Sequence, residues 1–382
     1  MSRVAVEPTL LEWALARSGL TPKDLQDDFP HIIQWLAGES YPTLRQLESL
    51  ARATHTPLGY LLLKEPPEET FPVPYFRTQG DERVSKPSPD LLETIQTMQR
   101  RQVWMREFLL DEGQERLSFV GTTQREEDSA LIARRIRREM GLNHGWADQQ
   151  ATWEDALRML RESVEALGVL VFFNGVVGNN THRKLDPAEF RGFVLVDDYA
   201  PLLFVNAADA KAAQMFTLAH ELAHLFFGSS AAFDLREMRP SDNPTERACN
   251  RVAAEFLVPE DELLEAWSDV SRHHDPFRAL ARRFKVSVLV AARRALDLKL
   301  VTKDSFLEFY YEYQREEHRR GAGREGGDFY LTQNLRVGHR FASAVLRAVK
   351  ERKLLYSEAY RLTGLYGKTF HEYAASIGGG GA

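Results

Sequence analysis

The chain has 382 residues, 43% hydrophobic and 10% aromatic, enough apolar content to bury cores over two or three domains and too much for a wholly disordered protein. Lys plus Arg number 49 against 55 Asp plus Glu, a net charge of −6, which argues against a dedicated, strongly basic nucleic-acid binder while leaving a local patch open. The single cysteine, Cys249, permits no intrachain disulfide and no cysteine-built zinc cage, and neither an apolar leader nor a membrane-length apolar run is present. The expectation is a soluble, cytoplasmic protein without a membrane partner.

Residues 9–63 place Leu10, Leu11, Trp13 and Ala14, then Leu44, Leu47, Leu50 and Ala51, at helical spacing, with breaks at Thr21-Pro22 and Tyr41-Pro42-Thr43. About five short helices are expected, as a domain spanning 1–63. From Glu65 to Pro89 the sequence is rich in Pro, Glu and Ser and reads as extended linker. A helix from Asp90 to Asp111 follows, with Leu91, Ile95, Met98, Gln102 and Met105 along one side, and Gln124–Asp128 reads as a polar break. Residues 64–128 are therefore assigned to a linker and connecting helix.

Two helical patterns fill 129–167, and three strand-like runs come next, at 169–173, 193–196 and 201–206. Helices resume at 211–227, 244–257, 260–267, 276–283 and 287–297. This alternation predicts an α+β domain over 129–300, a short mixed sheet flanked by helices. Residues 301–382 read as a helical extension: an aromatic, charged helix, the Gly-rich GAGREGG, two further helices and a flexible GGGGA tail.

Within FTLAHELAH, residues 216–224, stand His220, Glu221 and His224. Residues four apart on a helix share a face, so both imidazoles can meet one metal ion with Glu221 beside it. Zinc suits two neutral imidazoles and a carboxylate; manganese and iron(II) are also compatible. Such a set leaves a position for a water made acidic by the metal, with Glu221 as the base that takes its proton and returns it to the leaving amine. Apolar neighbours Phe216, Leu218, Leu222, Leu225 and Phe226 bury the rest of the helix. Glu246 is the best third ligand, because Asn250 lies one turn on and can support the site from behind. Glu255 is the next candidate, followed by Asp234, Asp242 and the pair His273-His274. Cys249 reads as core filling.

FTLAHELAH, the later ERACNRVAAEFLVP and the strand block FRGFVLVDDYAPLLFVNAAD resemble the ImmA/IrrE family of zinc metallopeptidases. The resemblance covers about 130–300. It implies a zincin-like, gluzincin-type metalloendopeptidase in which His220, His224 and Glu246 bind zinc and Glu221 is the catalytic base. It further implies a single regulatory protein as substrate, such as a repressor, and the long layout looks like the antitoxin member of a toxin–antitoxin pair, often beside a PIN-like ribonuclease toxin. A non-proteolytic antitoxin or transcriptional regulator, binding a toxin or operator DNA, is the alternative.

WLAGESYPTLRQLESLARATHTPLGYLLL, residues 35–63, is similar to the later helices of an XRE-type helix-turn-helix module, and PVPYFRT, 72–78, to its connector. Between Leu25 and Trp35, however, the chain is about one helical turn short of a standard second helix, turn and recognition helix. Residues 1–62 also carry five Lys or Arg against seven Asp or Glu, where phosphate contact asks for a positive face. A protein-interaction or packing role is thus favoured over DNA binding, for which His31, Gln34 and Arg45 are the candidates. The run ARRIRREM (133–140) reads as a solvated helix face and FLEFYYEYQ (306–314) mainly as core. PLLFVN, taken as the edge strand beside the motif helix, would accept an extended peptide, with Arg191 and Asn206 orienting it.

Overall fold

The computed structural model describes residues 3–68, 87–233, 243–320 and 329–378. The Asp234, Asp242, PVPYFRT and GAGREGG readings lie outside those residues, as does the GGGGA tail after Gly378. The chain divides into two compact units that part within one helix, after Thr97.

The first unit is helical: α1 (Pro8–Ser18), α2 (Pro22–Leu25), α3 (Ile32–Leu36) and α4 (Leu44–Ala53), then a 3-10 turn at Leu58–Leu62. Leu10, Leu11, Ile32, Trp35, Leu47, Leu50 and Leu61 form its core. Two reciprocal caps define its helix starts: Thr21 with Asp24, and Thr43 with Gln46, whose Oε1 accepts from Thr43 N at 2.9 Å. Helices α2 and α3 have only four and five residues, as the short Leu25–Trp35 interval requires. His31, Gln34 and Arg45 are exposed. Helix α5 (Pro89–Asp111) begins in this unit and continues into the second.

The second unit is α+β. After α5 come α6 (Ser129–Glu139) and α7 (Trp153–Ala166), then β1 (Leu170–Asn174), β2 (Val176–Val177), β3 (Asn180–Lys184), β4 (Gly192–Leu195) and β5 (Leu202–Asn206). Next are α8 (Lys211–Phe227), β6 (Ala231–Phe233), α9 (Pro244–Leu257), α10 (Glu260–Val270), α11 (Pro276–Phe284), α12 (Val288–Asp297) and α13 (Lys303–Arg320). The chain closes with α14 (Phe329–Val337), α15 (His339–Lys350), α16 (Tyr356–Thr363) and α17 (Gly367–Gly378). Among the described residues, no helix is long and apolar enough to cross a membrane.

The main sheet runs β1-β5-β4-β6, parallel between β1 and β5 and antiparallel elsewhere, with β2 and β3 as a separate hairpin. This corrects the edge-strand reading of PLLFVN: β5 is internal, hydrogen-bonded to β1 on one side and β4 on the other. The three-residue β6 takes the outer edge of β4, and it was invisible to pattern reading because so short a strand carries no alternation.

Burial of every residue in β1, β4 and β5 reflects cover on both faces. Val171, Phe173, Val194, Leu203 and Val205 enter a core shared with α8, α9 and α7. Phe172, Phe193 and Phe204 alternate with these residues along their strands, and Phe193 stacks on Phe204 with centroids 4.8 Å apart. Phe172 meets Phe341 of α15 edge-on at 5.9 Å. The C-terminal segment, expected as a separate extension ending in two helices, shows four after α13 among the described residues, with α14 and α15 packed on β1.

One buried cation joins these parts. Arg101 of α5, 6% exposed, donates from Nε to Leu362 O at 2.9 Å, from Nη1 to Arg336 O at 2.9 Å and from Nη2 to Thr363 O at 3.3 Å. Its guanidinium carbon lies 5.1 Å from the Phe172 ring centroid and 5.6 Å from that of Phe341. The carbonyls belong to the last turns of α14 and α16, where intrahelical donors have run out. Burial lowers its pKa to about 10, which leaves it a cation at neutral pH.

The two secondary signals divide as their patterns imply. Arg134 and Arg138 of α6 are exposed, whereas Arg137 turns inward to pair with Glu262. In α13, Phe306 is buried and Phe309 meets Phe277 at 4.8 Å, while Tyr311 faces out.

Candidate metal centre

Helix α8 lies against β4 and β5 on one side and α9 on another, so its middle turns have no solvent face. His220, Glu221 and His224 are each 0% exposed, and Glu246, on the first turn of α9, is 3% exposed. Asn243 caps α9 by accepting from Thr245 N at 2.8 Å, which sets the helix start that places Glu246.

The Nε2 atoms of His220 and His224 lie 3.1 Å apart. Glu246 Oε2 is 3.1 Å from the first, and its Oε1 is 3.2 Å from the second. The opposite ring nitrogens are held from behind. His220 Nδ1 donates to Asn250 Oδ1 at 3.0 Å, and His224 Nδ1 lies 3.0 Å from Ser229 Oγ. With Nδ1 protonated toward these partners, each Nε2 would offer its lone pair to a metal ion held together with Glu246, whereas in the metal-free chain a proton between Nε2 and the carboxylate serves the same contact.

Ser229 was missed in the sequence reading. Gly228 adopts φ +67° and ends α8 in the left-handed conformation, folding Ser229 back so that its N–H donates to His224 O at 3.1 Å. A Cβ on Gly228 would also stand 2.9 Å from Gly121 Cα. The usable signal was a Gly-Ser pair just past the motif helix.

Glu221 stands beside this group over β4. A Cβ on Gly192 would lie 3.2 Å from Glu221 Oε1, 2.6 Å from Thr217 Cγ2 and 2.8 Å from Phe204 O, so the carboxylate occupies room that any side chain at 192 would take. Among the described residues, neither Glu221 oxygen has a hydrogen-bond partner, nor does Glu246 Oε1 beyond its imidazole contact. Burial, then the charge of Glu246, pushes the Glu221 carboxyl well above its ordinary pKa. Burial alone would raise Glu246 too, but hydrogen bonds and charge from the two imidazoles prevail and hold it well below the carboxylate range. Burial lowers His220, against the opposing pull of Glu246.

This donor set fits a divalent cation. Two imidazole lone pairs and a carboxylate crowd within 3.2 Å of one another away from water, an arrangement stabilised only by a shared proton or a cation. Metal–nitrogen bonds of about 2.0–2.1 Å at tetrahedral angles give donor separations of roughly 3.3 Å, close to those seen. The buried Glu221 oxygens, without a hydrogen-bond partner among the described residues, add polar atoms that suit the same cation's surroundings.

The other ligand candidates are elsewhere. Glu255 pairs with Arg294 and accepts from Glu260 N at 3.1 Å, which gives it a structural task on the far end of α9. His273 and His274 are exposed. Asn206, 0% exposed, donates from Nδ2 to Phe190 O at 3.1 Å and accepts from Ala208 N at 3.0 Å, so its amide clamps the β5–α8 turn. Arg191 stands 3.6 Å from Asp209. Cys249, also fully buried, is nearer the imidazoles than expected: its Sγ and one donor nitrogen of each histidine lie within 4.8 Å of one another.

A mixed sheet backed by a helix that carries two histidines and a glutamate forms the core of the second unit. Residues 164–296 match the family model of the IrrE N-terminal-like domain, a peptidase family. Residues 337–376 match a domain of unknown function. No curated protein matches the chain.

Proposed function

We propose that residues 129–300 act as a zinc-dependent, site-specific endopeptidase on a regulatory partner protein. The observation that supports this most is the convergence of His220 Nε2, His224 Nε2 and the Glu246 carboxylate beside the unpartnered carboxylate of Glu221. Those three residues would hold the metal, which when bound supplies a Lewis acid for the peptide carbonyl and for water. Asn250 and Ser229 fix the two rings so that their lone pairs need no reorganisation. Glu221 receives the proton of the attacking water at its carboxylate and delivers it to the leaving amine. A buried carboxylate next to Glu246 is a stronger base than a solvated one, which suits that transfer.

The partner is a repressor or a component of a toxin system, with a PIN-like ribonuclease toxin as one candidate. Residues 1–63 serve as an XRE-like module that engages the partner rather than DNA, since residues 1–62 carry the acidic balance noted above. One observation favours the second reading, a non-proteolytic antitoxin or regulator. The two histidines and Glu221 are wholly buried, so a peptide reaches Glu221 only after its surroundings move.

Purified wild type and Glu221→Gln, incubated with the protein encoded by the adjacent gene, separate the two. Cleavage by the wild type alone, with equal zinc in both, is the expected result. A stable complex without cleavage, or full biological activity of Glu221→Gln, would establish the binding protein instead.

A further inference from the structure

We propose that Cys249 supplies a fourth protein donor, so that the metal rests in a closed shell of two histidines, one glutamate and one thiolate. This inference builds on the metal-binding reading above and concerns the resting state of the same site.

Three observations carry it. First, Cys249 Sγ lies within 4.8 Å of a donor nitrogen on both His220 and His224, while Glu246 sits against the same two rings, so two donor triads share the imidazole pair. Second, Glu246 and Cys249 are three residues apart on α9, hence neighbours on one face, and Asn250 behind His220 shows that this face is turned toward α8. Third, Glu221 is 0% exposed and neither of its oxygens has a hydrogen-bond partner among the described residues, so the enclosure around the imidazole pair holds a further polar group with no partner of its own.

The chemistry favours a borderline-soft ion. Zinc accepts sulfur at about 2.3 Å and nitrogen at about 2.0–2.1 Å, and four protein donors give the closed tetrahedral geometry typical of non-catalytic zinc. Binding breaks the S–H bond: the electron pair stays on sulfur and forms the sulfur–metal bond, and the proton leaves to solvent. No electron changes hands. Zinc and cobalt should therefore be preferred over magnesium or manganese, which favour oxygen. Peptide cleavage then requires the thiolate to give up its place, and the complete burial of the site matches such a closed resting form.

The test loads the full-length chain with cobalt(II) and records its electronic spectrum, together with metal content by plasma mass spectrometry. One cobalt per chain with an intense near-ultraviolet thiolate-to-cobalt charge-transfer band, lost in both Cys249→Ser and Cys249→Ala while visible ligand-field bands remain, is the expected result. One cobalt per chain without that band in the wild type would overturn the thiolate ligand and leave the three-donor site standing. Failure of the wild type to bind cobalt or zinc at all would overturn the metal reading, and this inference with it. Circular dichroism of the two variants confirms that band loss is not unfolding.

Discussion

Replacing Arg101 with methionine tests how the C-terminal helices are held on the sheet. The methionine keeps most of the stem volume but removes three hydrogen bonds from a buried cation, at 2.9, 2.9 and 3.3 Å, and its contacts with two aromatic faces. Hydrogen bonds to a charged group contribute about 1.5–3 kcal/mol each and cation–π contacts about 0.5–2 kcal/mol. Relief of the charge's burial offsets part of this, but three helix-terminal carbonyls lose their donor in a dry site, at about 1–3 kcal/mol apiece. The net expected loss is about 3–5 kcal/mol, the range for breaking a buried network from one side. Against a total stability of about 5–15 kcal/mol, that is enough to detach α14–α17 locally. Hydrogen-exchange mass spectrometry should show 100-fold or greater loss of protection, by the usual relation of about 1.4 kcal/mol per tenfold, in peptides from α15 and α16. Arg101→Lys, with the charge but not the fork, should fall between. Unchanged protection in Arg101→Met would refute the bridging role.

Other substitutions probe the site. His224→Ala and Glu246→Ala should each reduce bound zinc from about one per chain to a small fraction, measured by plasma mass spectrometry after desalting. Gly192→Ala places a methyl 2.6 Å from Thr217 Cγ2 and 2.8 Å from Phe204 O, so β4 has to shift; a loss of about 1–3 kcal/mol is expected, read by denaturant titration alongside zinc content. In the metal-free protein Glu221 has a raised pKa, so its contribution is present below the unfolded value of 4.5 and is lost as pH rises through the folded one. Glu221→Gln should therefore melt higher than the wild type in EDTA at pH 8, with the gain vanishing near pH 4; equal melting points at pH 8 would contradict the buried, unpartnered carboxylate.

The position of the motif helix was legible from sequence because FTLAHELAH combines two histidines at helical spacing with apolar residues on every other face. The helix bearing Glu246 was legible too, with its Asn-Pro start, and so were the three longer strands, whose continuous apolar runs leave few other readings. Local pattern also anticipated the brevity of α2 and α3. What it could not supply was partnership across the chain. The apolar run of β1 says that both faces are covered, but not that α14 and α15, more than 150 residues later, do the covering. That β5 is internal depends on β1 and β4 pairing along its two sides.

Arg101 shows the same limit. In sequence it is one of two adjacent arginines on an amphipathic helix, and only the tertiary structure makes it an internal cap for two distant helix ends. Cys249 differs in kind: its spacing from Glu246 was visible, yet a small apolar residue on a packed helix carries no sign of whether its neighbour is leucine or imidazole. Sequence determined which residue types lie on which helix face, since that follows from a 3.6-residue period and local caps. Tertiary structure decided which faces meet, because long-range contacts are set by packing of whole elements and leave no periodic trace in the chain.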